Sequence, residues 1–521
     1  MSPARIGIVG GGPGGLSTAM ILSAKGFNVT LFEKSPTIGG RTSSLQVGHS
    51  KFDLGPTFLM MKFVLDKVFQ DSGKKSEHYM KFQRLDPMYR LQFNKDTHMD
   101  CYDFSQRDKM LQELKRVVPE DVEGYQRWSE WETKRYERLI PLLQKAYSSH
   151  SDVVCMDALK ALPYMQFQKS LHHMLSDFYQ NPLSKLSFSF QAKYLGMSPF
   201  TCPAYYGIIP FVEHAFGVYH VEGGLSEIPR TMAVAASENG AHIKLGTPVK
   251  QLIIDQNSRQ VKGVKVMEEG KEENEYYFDE VILNADFPYA VHHLIPNAEN
   301  LLRQWKPSKI VKKKFSCSTF MMYLALDKEY PEIQHHTISF ADDYSANLKA
   351  ISEGYITDDL SIYVRNSCVN DKTVSPKGKS GLYVLVPIPN LIDSQGKIDW
   401  TNPTTIQKTR ELVLKHLETR VGFEDLRNHI EAEKIITPIE WQSQHNVFNG
   451  SVFSLSHNLL QMLSMRPRNK FNELEGLYLT GAHTSPGSGL PTIFESGRMV
   501  SEMLCQKYGI PYTRSSLLES M

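Results

Sequence analysis

Paired cysteines are missing. Cys101, Cys155, Cys202, Cys317, Cys368 and Cys505 stand singly, with no CxxC, so neither a zinc site nor a disulfide framework is expected, and a reducing cytosol fits. An excess of one charge is missing too: 58 Lys and Arg face 57 Asp and Glu. That near balance argues against a nucleic-acid surface or a globally cationic membrane protein. No stretch of about 18 residues stays apolar. The nearest, "AYYGIIPFVEHAFGVYHV" from Ala204, is interrupted by Pro210, Glu213 and His214. Nor do residues 6–22 read as a signal peptide, because glycines interrupt the apolar run and Glu33 and Lys34 lie downstream. The expected protein is soluble or lies on one face of a membrane. Repeats and low-complexity segments are absent. What remains is a 521-residue chain, 41% apolar, with material for a sizeable core and for two domains or one elaborated domain.

Glycine is abundant at two places. "RIGIVG" (Arg5–Gly10) reads as a buried strand, "GLSTAMILSAKG" as a helix closed by Gly26, and "NVTLFEK" as a second strand. Between the first strand and the helix, Gly10, Gly12 and Gly15 stand at G-x-G-x-x-G spacing, with Gly14 among them. In that setting Gly10 makes the turn, Gly12 lets the backbone approach a pyrophosphate, and Gly15 lets helix and strand pack. The helix N-terminus offers unpaired N–H groups to phosphate. Glu33, 21 residues after Gly12, stands where an acid accepts bonds from ribose hydroxyls. Context turns a weak motif into a dinucleotide site. The second place is "GLYLTGAHTSPGSGLP" from Gly476, followed by "TIFESGRMVSEMLCQKYG". Again a strand delivers a glycine-rich loop to a helix, whose positive end could face a flavin N1–C2=O region.

Past Glu33 the chain continues with Lys34, a second glycine pair at Gly39 and Gly40, Arg41, and then "FDLGPT" ending in Gly55, Pro56 and Thr57. E-K-x-x-x-x-G-G-R followed by F-D-x-G-P-T resembles the flavoprotein group of amine oxidases, protoporphyrinogen oxidases and carotenoid desaturases. The resemblance implies FAD, with the second glycine pair and Arg41 along its diphosphate and ribityl chain. The closing loop narrows it. Gly481, Thr484, Pro486, Gly487, Gly489 and Pro491 match the G-x-x-T-H-P-G-x-G-x-P of bacterial-type carotenoid desaturases, with Leu490 inside the match. Ser485 departs, standing where that group has histidine, and His483 lies two residues earlier. Further blocks keep the family order over nearly the whole chain. They include "FGVYHVEGGLSEIPRTMA", "GTPVKQLIID" with Val249 where backbone would meet adenine, "VILNAD", and "IITPIEWQSQHNVFNGSVFSL".

That resemblance implies an α/β fold: a discontinuous Rossmann-type FAD-binding domain (1–95, 216–290 and 470–510) with an α+β substrate domain. The substrate part would comprise a helical, membrane-facing region at 96–215 and a sheet with helices at 291–469. The implied activity is desaturation of phytoene or dehydrosqualene (diapophytoene), C40 or C30, by hydride transfer to flavin N5 and loss of a proton to a base or water. No metal is called for. Implied partners are a long isoprenoid substrate, a membrane surface on the cytoplasmic side, and quinone or oxygen as electron acceptor. Candidate acid–base residues are His483 and Glu495; His335 and His336 read as structural. The segment Ala204–Val221 and "DALKALPYMQF" from Asp157 are candidate membrane contacts. Three alternatives stay open: a carotenoid terminal-methyl oxygenase, an isomerase or saturase of the same family, and a non-catalytic prenyl-binding protein similar to GDP-dissociation inhibitors. An amine oxidase fits less well, since no cysteine for a covalent flavin lies within Leu477–Arg498.

Overall fold

The structure, a computed structural model, describes residues 3–147, 154–268 and 273–520. Arg5–Val9 and Asn28–Phe32 run parallel, joined by the helix Pro13–Ala24. Strands from distant parts of the chain extend them into one five-stranded parallel sheet. Its order is His242–Lys244, Asn28–Phe32, Arg5–Val9, Glu280–Leu283, Leu477–Leu479. These strands are apolar because helices and a second sheet cover both faces. Gly7 belongs here for space: a Cβ on it would lie 2.5 Å from the Phe278 ring. A three-stranded antiparallel ribbon, Val249–Asp255, Gln260–Met267 and Glu273–Tyr277, packs its apolar face on the parallel sheet.

The second body is built on a seven-stranded sheet. Its order is Ile430–Ile436, Ser318–Leu326, Ser380–Ile388, Ile362–Asn366, His336–Ser339, Tyr89–Gln92, His98–Cys101. Ser318–Leu326 is buried along its whole length, as a central strand covered on both faces must be. Two pieces depart from the sequence expectation. Tyr89–Gln92, counted with the nucleotide-binding segment 1–95, pairs in parallel with His336–Ser339. His98–Cys101, counted with the helical stretch 96–215, forms a hairpin with Tyr89–Gln92. Tyr89, Leu91 and Met99 are fully buried, and this sheet lets them pair their backbone while doing so.

Helices Arg107–Val117, Val122–Leu143, Met156–Met165 and Ile208–Phe216 form a further, helical part. They close over Tyr125, Trp128, Tyr136 and Phe211, all buried. Ala204–Val221 is packed into this core: Ala204, Phe211, Val218 and Val221 are buried, so the segment presents no apolar face to a membrane. Met156–Met165 differs. It turns Ala161 and Met165 inward and leaves Met156, Leu159 and Leu162 65%, 63% and 59% exposed. Among the described residues no helix is long and apolar enough to cross a membrane, and no cluster of His, Cys, Asp and Glu could hold a metal.

Candidate functional site: a two-helix cradle opening into an aromatic cavity

Four loops leave the carboxyl ends of the parallel strands and meet around one cavity of about 560 Å³. They begin at Gly10, Glu33, Asn284 and Thr480, each directly after its strand. Ligands of open α/β sheets bind at such strand ends.

At one end the backbone is bare and polar. Gly10 adopts φ +101°, which favours glycine. A Cβ on Gly12 would meet only Asn284 Nδ2 at 3.2 Å and the Gly39 carbonyl at 4.0 Å, so its cavity side is open. The helix Pro13–Ala24 has no side-chain cap and no acid in its first turn. The helix Leu490–Lys507, entered through Gly489 at φ +113°, is likewise uncapped and without an acid there. Both N-termini line the same cavity, through Pro13 and Gly14 and through Leu490 and Pro491. Uncapped helix N-termini carry unpaired N–H groups and partial positive charge, which suits phosphate and other electron-rich acceptors. Glu33 is fixed by accepting from Gly11 N–H (2.8 Å) and Ser35 N–H (2.9 Å).

Midway along the wall stands a buried charged cluster. Asp286 accepts from Tyr289 N–H (3.0 Å), capping the helix Phe287–His293, and its Oδ2 lies 2.8 Å from His483 Nε2. His483 Nδ1 is 2.8 Å from Ser454 Oγ. Arg41 donates through Nη1 to the Val452 carbonyl at 2.6 Å. Burial pushes the Asp286 carboxyl up, but His483 and Arg41 together hold it below the usual carboxylate range. Burial lowers His483, against the opposing pull of Asp286, and lowers Arg41 in the same way. At neutral pH the cluster is therefore a carboxylate between a guanidinium and a neutral imidazole.

The far end is apolar and aromatic. Phe58, Phe190, Ile338, Phe340, Tyr344 and Tyr363 form its wall, over the floor of the seven-stranded sheet. One amine enters it: burial lowers Lys193 to about 8.

The family model for flavin containing amine oxidoreductase matches residues 13–505. The chain is 44% identical over 506 residues to a 4,4'-diapophytoene desaturase (4,4'-diapolycopene-forming) of Methylomonas sp, covering 97% of this chain and 96% of that protein. The chain belongs to the flavin-containing amine oxidoreductases, in the branch of the bacterial carotenoid desaturases. To an all-trans-zeta-carotene desaturase of Myxococcus xanthus it is 35% identical over 509 residues, covering 96% of this chain and 93% of that protein. Among solved structures, an oxidoreductase from Methanosarcina mazei superposes with a TM-score of 0.61 at 15% identity, covering 96% of this chain and all of that one. That last likeness is one of fold.

FAD is the cofactor of this flavoenzyme, and the site fits it. The two uncapped helix N-termini, the side-chain-free face of Gly12 and the fixed carboxylate of Glu33 supply what a dinucleotide requires. Gly10, Gly12, Gly14, Glu33, Lys34, Gly40, Arg41, Gly55, Pro56, Thr57, Val249, Gly481, His483, Gly489, Leu490 and Pro491 all line the cavity.

Three sequence candidates do not. Gly15 lies behind the cradle, where a Cβ would strike the Gly10 carbonyl at 2.4 Å. Gly39, at φ +117°, shapes the loop and donates to the Gly11 carbonyl at 3.0 Å. Glu495 is the larger correction. Two residues past the cavity-lining Ile493, roughly 200° round the helix, it is buried against Arg498 (2.7 Å) and Arg514 (2.5 Å) and accepts from Gln144 (3.0 Å). It is a structural carboxylate. His483 reaches the cavity, but Asp286 and Ser454 already occupy both ring nitrogens, so as a proton acceptor it has no free atom.

Sequence reasoning missed Asn284 and Asp286. Asn284 donates to the Gly10 carbonyl at 3.0 Å, tying the strand Glu280–Leu283 to the glycine loop. The signal was present: both polar residues end the apolar strand of "VILNAD", directly at the carboxyl edge where ligands bind.

Proposed function

We propose that this flavoprotein introduces double bonds into a long isoprenoid of the C30 diapophytoene type, with C40 phytoene-type chains as the wider class. The observation that carries the reading is the continuity of the cavity. The polar two-helix cradle passes without a partition into the aromatic wall of Phe58, Phe190, Phe340 and Tyr363. An isoprenoid has no polar group to bind, so its recognition rests on apolar area and on shape. The relatives named as diapophytoene and zeta-carotene desaturases support the same substrate class.

When bound, FAD supplies an acceptor for two electrons. The chain's own residues do the rest. In this reading Gly12, Gly14, Gly40 and Arg41 hold the diphosphate and ribityl chain, with Glu33 at a ribose and Val249 at the adenine. Gly481, Gly489, Leu490 and Pro491 put a helix N-terminus at the flavin ring, which favours the reduced, more negative state. Gly55, Pro56 and Thr57 border the place where substrate and cofactor meet. The aromatic walls exclude water and align the saturated unit of the polyene, which is the larger share of the protein's work.

The substrate resides in a bilayer, and the exposed apolar face of Met156–Met165 (Met156, Leu159 and Leu162) is the surface that would rest on one. In this reading the enzyme is a peripheral protein at the cytoplasmic face of the membrane. Quinone or oxygen would reoxidise it. Co-expression with a C30 or a C40 backbone synthase, followed by pigment chromatography, tests the reading. Longer conjugated hydrocarbons are expected, and foremost from the C30 host. New oxygen functions on the chain would replace it with the oxygenase, and unchanged pigment from a flavin-loaded enzyme would overturn it.

A further inference from the structure

Every double bond formed in the proposed reaction releases a proton inside an apolar cavity, and the two acid–base candidates read from sequence are both committed elsewhere. Another pair stands on the wall. The Tyr363 hydroxyl lies 2.6 Å from Thr57 Oγ1 and 2.8 Å from His336 Nδ1. Tyr363 and Thr57 both line the cavity. His336 sits directly behind, buried, its ring stacked on Phe58 at 4.3 Å and 17°. Its Nε2 has no hydrogen-bond partner. A buried polar atom without a partner is costly; with Nδ1 accepting from the Tyr363 hydroxyl, Nε2 carries the ring hydrogen, and Nδ1 is the atom whose lone pair can take a proton.

The charged and titratable groups around His336 come from three elements. His335 is its neighbour, with ring centroids 4.4 Å apart. Arg365, on the adjacent strand, is paired with Asp53, and His220 bonds Asp371 at 2.8 Å. Burial first, then Arg365 and His220, holds the His336 imidazole far below its ordinary range, so it is neutral at physiological pH.

We propose that Tyr363, backed by His336, is the residue that accepts the proton lost by the substrate. This rests on the desaturase reading above. One hydrogen leaves the saturated CH2–CH2 unit with its bonding pair, as a hydride, for which FAD bound in the cradle would be the two-electron acceptor. The C–H bond on the neighbouring carbon then breaks. Its electrons become the new π bond, and its proton passes to the Tyr363 oxygen as the phenolic proton moves to His336 Nδ1. The substrate is oxidised by two electrons and the cofactor reduced by two. Because burial disfavours an imidazolium, the proton is not stored. It returns through Tyr363 and Thr57 and leaves the site.

The competing groups on the wall are less suited. His483 has both nitrogens engaged, and Glu495 lies outside the cavity in ion pairs. Lys193, lowered to about 8, is still mostly an ammonium at neutral pH and has no lone pair to offer.

The test uses the FAD-loaded enzyme and its Tyr363→Phe and His336→Asn variants. Thermal unfolding and visible absorbance give fold and flavin content. Anaerobic mixing with the C30 precursor in liposomes gives the rate of flavin bleaching, followed between about pH 6 and about pH 9. Tyr363→Phe and His336→Asn are expected to keep their flavin and bleach about 10²- to 10⁴-fold more slowly, the range of general acid–base catalysis. Their rates should rise with pH as hydroxide takes over, whereas the wild-type rate stays flat. If Tyr363→Phe loses its flavin, His336→Asn, whose side chain lies outside the cavity lining, decides alone. Bleaching within about threefold of wild type in the flavin-loaded variants, with an unchanged pH profile, overturns the proposal. A wild-type enzyme that no polyene precursor bleaches overturns the desaturase reading instead.

Discussion

Gly14 and Gly497, from opposite ends of the chain, meet at the crossing of the first and last long helices. A Cβ on Gly497 would lie 2.9 Å from the Gly14 carbonyl oxygen and 2.6 Å from Ser17 Cβ. One on Gly14 would lie 2.6 Å from Asn284 Oδ1 and 3.0 Å from Gly481 N. Both helices turn their N-termini to the same cavity, so this contact sets the distance between the two positive ends.

Gly497→Ala should therefore damage the cofactor site without touching it. Overpacking of this kind costs about 1–3 kcal/mol, and the helices must part by some tenths of an ångström. The purified variant is expected to unfold at lower temperature and to retain less FAD per chain, read from the ratio of visible to ultraviolet absorbance. A variant with wild-type flavin content would show that the spacing is not critical.

Glu495 offers a direct contrast between position in sequence and position in space. It lies four residues past the closing flavin motif, yet its carboxylate ties Arg498 and Arg514 together. Glu495→Gln strips a charge from beside two arginines, one of them fully buried. That should destabilise the fold by about 3 kcal/mol, the scale of breaking a buried ion pair. The rate per bound flavin should stay at the wild-type value. A tenfold loss of that rate with an unchanged unfolding temperature would return Glu495 to the chemistry.

The contrast also marks what a linear reading reaches. Gly10, Gly12 and Glu33 were legible because their partners lie within about 30 residues, the span of one βαβ unit. The parallel pairing of Tyr89–Gln92 with His336–Ser339 has no local signature, and it crosses nearly half the chain. Tyr363 and Thr57, 306 residues apart, meet only after both sheets have formed. His336 read as structural because a histidine in an apolar strand ordinarily is. Its significance lies in the cavity-lining tyrosine in front of it, which no spacing announces. Glu495 erred the other way: helical phase carried it off the face that its motif neighbours share.

Asp286 anchors the charged cluster of the wall, accepting from His483 and lying close enough to Arg41 to influence its charge. Asp286→Ala removes the counter-charge of a buried guanidinium and the cap of the helix Phe287–His293. Losing a hydrogen bond to a charged group and a cap costs about 2–4 kcal/mol together. Asp286→Asn, which keeps an acceptor, should cost less. The expected order of both unfolding temperature and FAD affinity is wild type, then Asn, then Ala. Equal losses in the two variants would mean that charge rather than hydrogen bonding is what Asp286 contributes.

Glu213 supplies a pH dependence with a definite sign. It is buried, accepts from Tyr89 (3.0 Å) and Gln191 (3.0 Å), and has no cation beside it. Burial pushes its carboxyl up to about 7, whereas in the unfolded chain a glutamate titrates near about 4.3. Between those values the folded protein holds a proton that the unfolded chain has released, so stability falls as pH rises from about 4 to about 7 and then levels. Glu213→Gln has no proton to lose. It should match the wild type near pH 4.5 and exceed it by pH 8, by at most about 3 kcal/mol. His214 and His416, each lowered by burial to about 4, impose the opposite slope between about pH 4 and about pH 6.5. They do so in both proteins and cancel in the difference. Unfolding temperatures of the pair measured across this range decide the matter. A difference that does not grow with pH would mean that Glu213 is ionised in the folded state.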